Sequence, residues 1–176
     1  MLKIKSYVKV NSIEEAYELN QKKTAVVLGG MVWLKMGNRN ISTAIDLSGL
    51  GLDGIQETDE EFVIGCMTTL RELETDKRLN EYTQGAVRES VRHIVGVQFR
   101  NCATVGGSIW GRYGFSDVLT MFLGMDTWVE LHNAGKIPLT EFVNRKKDND
   151  ILVNIIVKKQ PLRVCYMSQR NTKTDF

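Results

Sequence analysis

The first residues, Met1-Leu2-Lys3-Ile4-Lys5, alternate apolar and polar and predict a strand over Ile4–Val10. Ser12-Ile13-Glu14-Glu15 reads as a capping box, with Ser12 accepting from the Glu15 N–H while Glu15 reaches back. Ile13, Ala16, Tyr17 and Leu19 then supply an apolar face, so a helix is expected over about 12–22. The apolar run Ala25–Leu28 predicts a buried strand, Met31–Met36 a short helix, and Thr43–Leu47 a further strand. Beyond the turn marked by Gly49, Gly51 and Gly54, the segments Gly54–Thr58 and Glu61–Gly65 predict a hairpin. Helices are expected over Thr69–Asp76, Asn80–His93 and Ser116–Gly124. Asp126–His132 and Ile137–Pro138 flank a hairpin turn at Asn133-Ala134-Gly135-Lys136, and Ile151–Lys158 and Arg163–Met167 read as late strands. Strands and helices mix without regular alternation, so the expected fold class is α+β.

Composition narrows the function classes. A chain of 176 residues with 43% hydrophobic and 25% charged residues is ordinary for a globular domain with a real core. A net charge of +2, with basic residues scattered, gives no electrostatic footprint for nucleic acid or an anionic membrane. The densest basic cluster, Arg145-Lys146-Lys147, is followed by Asp148 and Asp150 and reads as a solvated loop. No apolar stretch approaches the ~20 residues that span a bilayer. The N-terminus lacks a signal peptide's continuous apolar region, so a cytoplasmic location is expected. Cys66, Cys102 and Cys165 share no metal-ligand spacing. They read as reduced thiols, too few for the four ligands of a two-iron two-sulphur cluster.

The candidate chemistry lies in two glycine pairs. Gly29-Gly30 follows the buried run ending at Leu28, and Gly106-Gly107 closes the stretch Arg100-Asn101-Cys102-Ala103-Thr104-Val105. Glycine pairs leave backbone N–H groups uncovered by a β-carbon, so two such loops facing each other can hold a pyrophosphate from both sides. Gly-Gly also makes ordinary turns. Thr104 just before the second pair and Ser116-Asp117 after it sharpen the case for a site.

In these stretches the chain resembles the FAD-binding domain of the medium subunit of molybdenum hydroxylases, the xanthine dehydrogenase and carbon monoxide dehydrogenase group. The family's loop Ala-Gly-Gly-Thr-Asp-Leu corresponds to Leu28-Gly29-Gly30-Met31-Val32-Trp33-Leu34. Its Ile-Gly-Ala-x-x-Thr-x-x-Glu-Leu corresponds to Ile64-Gly65-Cys66-Met67-Thr68-Thr69-Leu70-Arg71-Glu72-Leu73, and its Gln-x-Arg-Asn-x-x-Thr-x-Gly-Gly-Asn to Gln98–Ser108. Order and spacing agree from about Val26 to Asp117. The resemblance implies a two-lobed FAD-binding domain of the vanillyl-alcohol oxidase/PCMH type, with a small lobe at 1–50, a larger one at 55–158, and FAD between them. Residues 159–176 would begin a link to the family's C-terminal domain, which the chain stops short of; a fragment and a short family member both fit.

The resemblance also implies the site. Leu28, Gly29, Gly30, Met31, Val32 and Trp33 form the first cofactor loop, and Thr104, Gly106, Gly107 and Ser108 the second. Asp117 is expected to accept from ribityl hydroxyls, since a carboxylate beside a pyrophosphate would repel it. Its alternative role is a first-turn residue of a helix capped by Ser116. Val95 and Leu152 fall at apolar positions that touch the cofactor in relatives, and they also suit a plain core. Met31-Val32 stand where the family has Thr-Asp, and Met167 where relatives often carry a lysine near the flavin.

The implied function is an FAD-binding electron-transfer subunit of an oxidoreductase, without catalytic residues or metal ligands of its own. Electrons would pass from a two-iron two-sulphur small subunit, fed by a molybdopterin-binding large subunit, through FAD to NAD or another acceptor. The rival reading is a family member with weak or lost FAD binding, acting as a structural subunit. A third, an FAD-linked oxidase related by fold alone, would need a substrate domain that this length excludes. Arg100 suits a phosphate partner or a structural anchor; His93, His132, Trp110 and Trp128 are explained by helix ends, turns and burial.

Overall fold

A computed structural model describes residues 1–169. Strands β1 (Lys3–Lys9), β2 (Ala25–Leu28) and β3 (Asn40–Asp46) form a parallel sheet in the order β1-β3-β2. Helix α1 (Ile13–Asn20) connects the first two and packs on β2 and β3. Ser12 caps it by accepting from Glu15 N–H at 3.1 Å. The Glu15 carboxylate reaches back to the Asn11 N–H at 2.8 Å, one residue earlier than the expected capping box. As central strand, β3 contributes Ile45 to the main core while Ile41 and Ala44 join Leu28 in a smaller cluster, against which Met31 also packs.

The second sheet is antiparallel. Its order is β4 (Ile55–Glu57), β5 (Glu61–Gly65), β8 (Leu152–Lys158), β6 (Thr127–Leu131) and β7 (Gly135–Pro138). Both expected hairpins are present. Phe62, Ile64, Val129, Ile155 and Val157 meet the apolar faces of α2 (Leu70–Thr75), α4 (Ala86–Arg92) and α7 (Asp117–Leu123) in one continuous core. Ile156, between Ile155 and Val157, is buried as well, so β8 is covered on both faces. Among the described residues no helix is long and apolar enough to cross a membrane.

Several expectations needed correction. The helix expected over Asn80–His93 is two, α3 (Lys77–Tyr82) and α4, because Gln84 (φ 49°) and Gly85 (φ 82°) turn left-handed between them. Only Leu34–Met36 of the Met31–Met36 segment is helical, as one 3₁₀ turn. Arg163–Met167 joins no sheet. Its neighbourhood is held by side chains instead: Tyr82 Oη accepts from Gln160 N–H (2.9 Å) and Gln84 Oε1 from Val164 N–H (3.2 Å). Three short helices were not anticipated: α5 (Val97–Arg100), α6 (Val105–Gly111) and α8 (Leu139–Asn144). The expected link to a further domain runs on past residue 169, outside the described residues.

Arg100 is the structural anchor of its two readings. It is 5% exposed and donates through Nε to Glu74 at 2.8 Å and through Nη1 to the Ile94 carbonyl at 3.2 Å. Arg71 approaches the same carboxylate at 2.9 Å. Burial pushes the Glu74 carboxyl up, but the hydrogen bonds and charges of the two arginines outweigh it, and its pKa lies below the usual 4.5.

Candidate functional site

Strand β2 delivers Gly29 and Gly30 directly onto the segment that opens α6. A β-carbon at Gly30 would stand 1.8 Å from the Cys102 carbonyl oxygen and 2.9 Å from Ala103 Cα, so only glycine permits this approach. At Gly29 it would stand 2.8 Å from Thr104 Oγ1 and 3.8 Å from Gly107 Cα, so the two glycine corners touch. The other side of the second corner rests on the stretch that ends β5. A β-carbon at Gly106 would lie 2.5 Å from the Cys66 carbonyl oxygen, which accepts the Gly106 N–H at 2.8 Å. Val105 N–H donates to Thr68 O, and Leu70 N–H to Ala103 O, each at 2.8 Å. Three stretches remote in sequence are thereby stacked into one joint.

The second corner is not the bare loop that was expected. Thr104 is the N-cap of α6, and its Oγ accepts from the Gly107 N–H at 3.1 Å. With Gly106 bound to Cys66, the N–H groups of both glycines are already taken. What remains on this side is the Thr104 hydroxyl proton, for which no acceptor is present among the described residues. Ser108 donates its own hydroxyl to the Thr104 carbonyl at 3.1 Å. The first corner is different: the N–H groups of Gly29, Gly30, Met31 and Val32 meet no acceptor among the described residues. Met31 turns left-handed there, with φ 58°.

A cleft of about 870 Å³ opens at this joint, within the size range of small-molecule sites. Its lining includes every residue that the resemblance assigns to cofactor binding: Leu28 through Trp33, Val95, Thr104, Gly106, Gly107, Ser108, Asp117 and Leu152. Leu152 is buried at the start of β8, whereas Val95 is 71% exposed and holds a left-handed φ of 51°, unusual for a β-branched residue. Asp117 takes the first-turn position of its alternative reading. It opens α7 behind the Ser116 cap, and its Oδ1 accepts from Tyr166 Oη. Met167 lines the cleft beside that tyrosine.

Other lining residues escaped sequence reasoning, among them Ile94, Phe99, Tyr113, Phe115 and Tyr166. The signal for two of them was the aromatic-rich Tyr113-Gly114-Phe115 directly before Ser116-Asp117. His93 also lines the cleft, 3.7 Å from Glu89, while the His132 ring packs tilted against Tyr17 away from it. No cluster of metal-binding side chains occurs among the described residues. Burial pushes the Cys66 thiol up to about 12, so it stays protonated and unreactive. Iodoacetamide at mildly alkaline pH is accordingly expected to modify Cys102 and Cys165, both exposed, and to reach Cys66 only after denaturation, as mass spectrometry would show.

Residues 2–159 match the family described as the FAD binding domain in molybdopterin dehydrogenase. The chain belongs to this family. It is 27% identical over 170 residues to an uncharacterized Escherichia coli protein, YgfM, covering 92% of the chain and 62% of that protein. It is 26% identical to the 6-hydroxypseudooxynicotine dehydrogenase complex subunit alpha of Paenarthrobacter nicotinovorans, covering 88% and 57%. The fold is similar to that of quinoline 2-oxidoreductase from Pseudomonas putida 86, with a TM-score of 0.86 at 18% identity over 97% of the chain and 64% of that structure. For CO dehydrogenase from Oligotropha carboxidovorans the TM-score is 0.79 at 23% identity, over 90% and 60%. The chain thus spans about three fifths of the length of these relatives.

Proposed function

We propose that the chain binds FAD along the cleft and serves as an electron-transfer subunit of a molybdenum hydroxylase. The observation that carries this reading is the contact between the corners, with Gly29 against Thr104 and Gly107 in the lining of a cleft of about 870 Å³. The residues present fit the group. The free N–H groups of residues 29–32 would hold the diphosphate, and the Thr104 hydroxyl would donate from the opposite side. Asp117 would accept from a polyol hydroxyl. Ile94, Val95 and Leu152 would supply apolar contact and exclude water. FAD, when bound, supplies the redox chemistry, and the protein supplies binding, orientation and electrostatics. Met167 brings no positive charge, so this chain does less than a lysine would to favour a reduced, anionic ring.

The proposal extends to a small lobe at 1–50 and a larger one at 55–158 with the cofactor between them. It also extends to partnership with a molybdopterin-binding large subunit and a two-iron two-sulphur small subunit, with NAD or another acceptor taking the electrons. A structural subunit with little FAD affinity is the second reading. It is favoured by the occupied N–H groups of Gly106 and Gly107 and by Met31, which packs into the small apolar cluster instead of offering a hydroxyl.

Titration of the folded chain with FAD, followed by flavin absorbance and fluorescence, separates the two; no uptake by a cooperatively melting chain would overturn the first. Thr104→Val then tests the joint. Loss of the cap should lower stability by about 1 kcal/mol. Loss of a hydrogen bond to a charged group, about 1.5 kcal/mol, should weaken FAD binding roughly tenfold. Thr104→Ser should restore both.

A further inference from the structure

Trp33, Tyr113 and Phe115 are 49%, 42% and 49% exposed, although each carries an aromatic ring that burial would stabilise. They come from separate segments: Trp33 directly follows Val32 in the first corner, and the other two lie between α6 and α7. Even so, the rings converge. Tyr113 and Phe115 stack with centroids 5.2 Å apart and planes at 14°. Trp33 leans on them at 6.1 and 5.8 Å. Gly111 leaves the room this needs, since a β-carbon there would lie 2.6 Å from the Tyr113 ring. All three line the cleft, so the cluster is assembled in advance and open on the cleft side. A π-surface ordered before binding suits the face of a flat ring, because little freedom is lost when that ring docks.

We propose that Trp33, Tyr113 and Phe115 are a stacking platform for a planar heteroaromatic ring of the bound dinucleotide. This rests on the FAD reading of the cleft and adds to it the residues that hold a ring rather than the diphosphate. Adenine and isoalloxazine share the required chemistry. Trp33 directly follows Val32 in the first corner, and its own N–H likewise meets no acceptor among the described residues, so the platform lies within reach of a nucleotide whose phosphates lie on that corner.

The experiment titrates the full chain and its Trp33→Leu and Trp33→Phe variants with FAD, then with ADP and FMN separately. Trp33→Leu should weaken FAD binding roughly five- to a hundredfold, with Trp33→Phe close to wild type. The same loss should occur with one of the two half-molecules and not the other, ADP identifying adenine and FMN isoalloxazine. Ligand should quench part of the tryptophan fluorescence in the wild type, and that part should vanish in Trp33→Phe, where Trp110 and Trp128 remain. Wild-type FAD binding with an unchanged affinity in Trp33→Leu overturns the platform alone, as does equal loss for both halves. Absence of FAD uptake by the folded wild type overturns the functional reading and the platform with it. Should Trp33→Leu fail to fold, Tyr113→Leu takes its place, and absence of quenching in the wild type still refutes the proposal.

Discussion

Gly30→Ala is expected to produce the most damaging single-methyl change in this protein. The added carbon would sit 1.8 Å from the Cys102 carbonyl oxygen, and the atoms it meets are backbone. No side chain can rotate away, so β2 or the segment entering α6 must shift. Overpacking costs about 1–3 kcal/mol where side chains can adjust. Here the upper end, about 3 kcal/mol, is the minimum expected, or a fall in Tm of ~10 °C for a chain of this size. Because the shift separates the corners, FAD affinity should fall by more than the tenfold expected for Thr104→Val. Gly29→Ala is a useful contrast. Its β-carbon would press on the Thr104 hydroxyl at 2.8 Å, so ligand binding should suffer more than stability. Thermal melting and flavin titration of both variants check this; an unperturbed Gly30→Ala would show that the corners do not meet as described.

Arg100→Ala should be comparably destabilising through electrostatics. The pair with Glu74 is almost fully enclosed, with side-chain exposures of 6% and 10%. Removing one partner from a buried pair costs about 3–5 kcal/mol, because the remaining charge is left poorly solvated. Arg71 still approaches Glu74 at 2.9 Å from a more exposed position, so the lower end, about 3 kcal/mol, is expected. The double variant Arg100→Met, Glu74→Leu should recover most of the loss, since it leaves no unpaired charge. The pH dependence follows in sign. The Glu74 carboxyl is lowered in the folded state, so its contribution is complete above its unperturbed 4.5 and is lost as pH falls through the lower, folded value. The stability gap between wild type and Arg100→Ala should therefore be constant near neutrality and narrow below about pH 4.5. Urea melts at neutral and acid pH measure it, and a gap that widened in acid would exclude this account.

The elements most readable from sequence were those set by neighbours along the chain. Ser12 and Glu15 announced α1, and the Asn133–Lys136 turn announced the β6–β7 hairpin, because capping and turn chemistry act within a few residues. The break between α3 and α4 was hidden in a helix-compatible apolar pattern, although Gln84-Gly85 carried the signal. Helix α6 was obscured by its own glycines, which argue against a helix by propensity. It is held there by the Thr104 cap and by hydrogen bonds to Cys66 and Thr68.

For the site, sequence alone determined the motif order, the candidate glycines and the family they resemble, since spacing and residue type are properties of the chain itself. Tertiary structure decided which N–H groups remain free, that Gly30 and Gly106 are needed for backbone contact, that Tyr166 engages Asp117, and that three aromatic rings gather beside the first corner. These depend on which remote segments touch. A hydrogen-bonding group has one set of partners in space, and no local pattern specifies them.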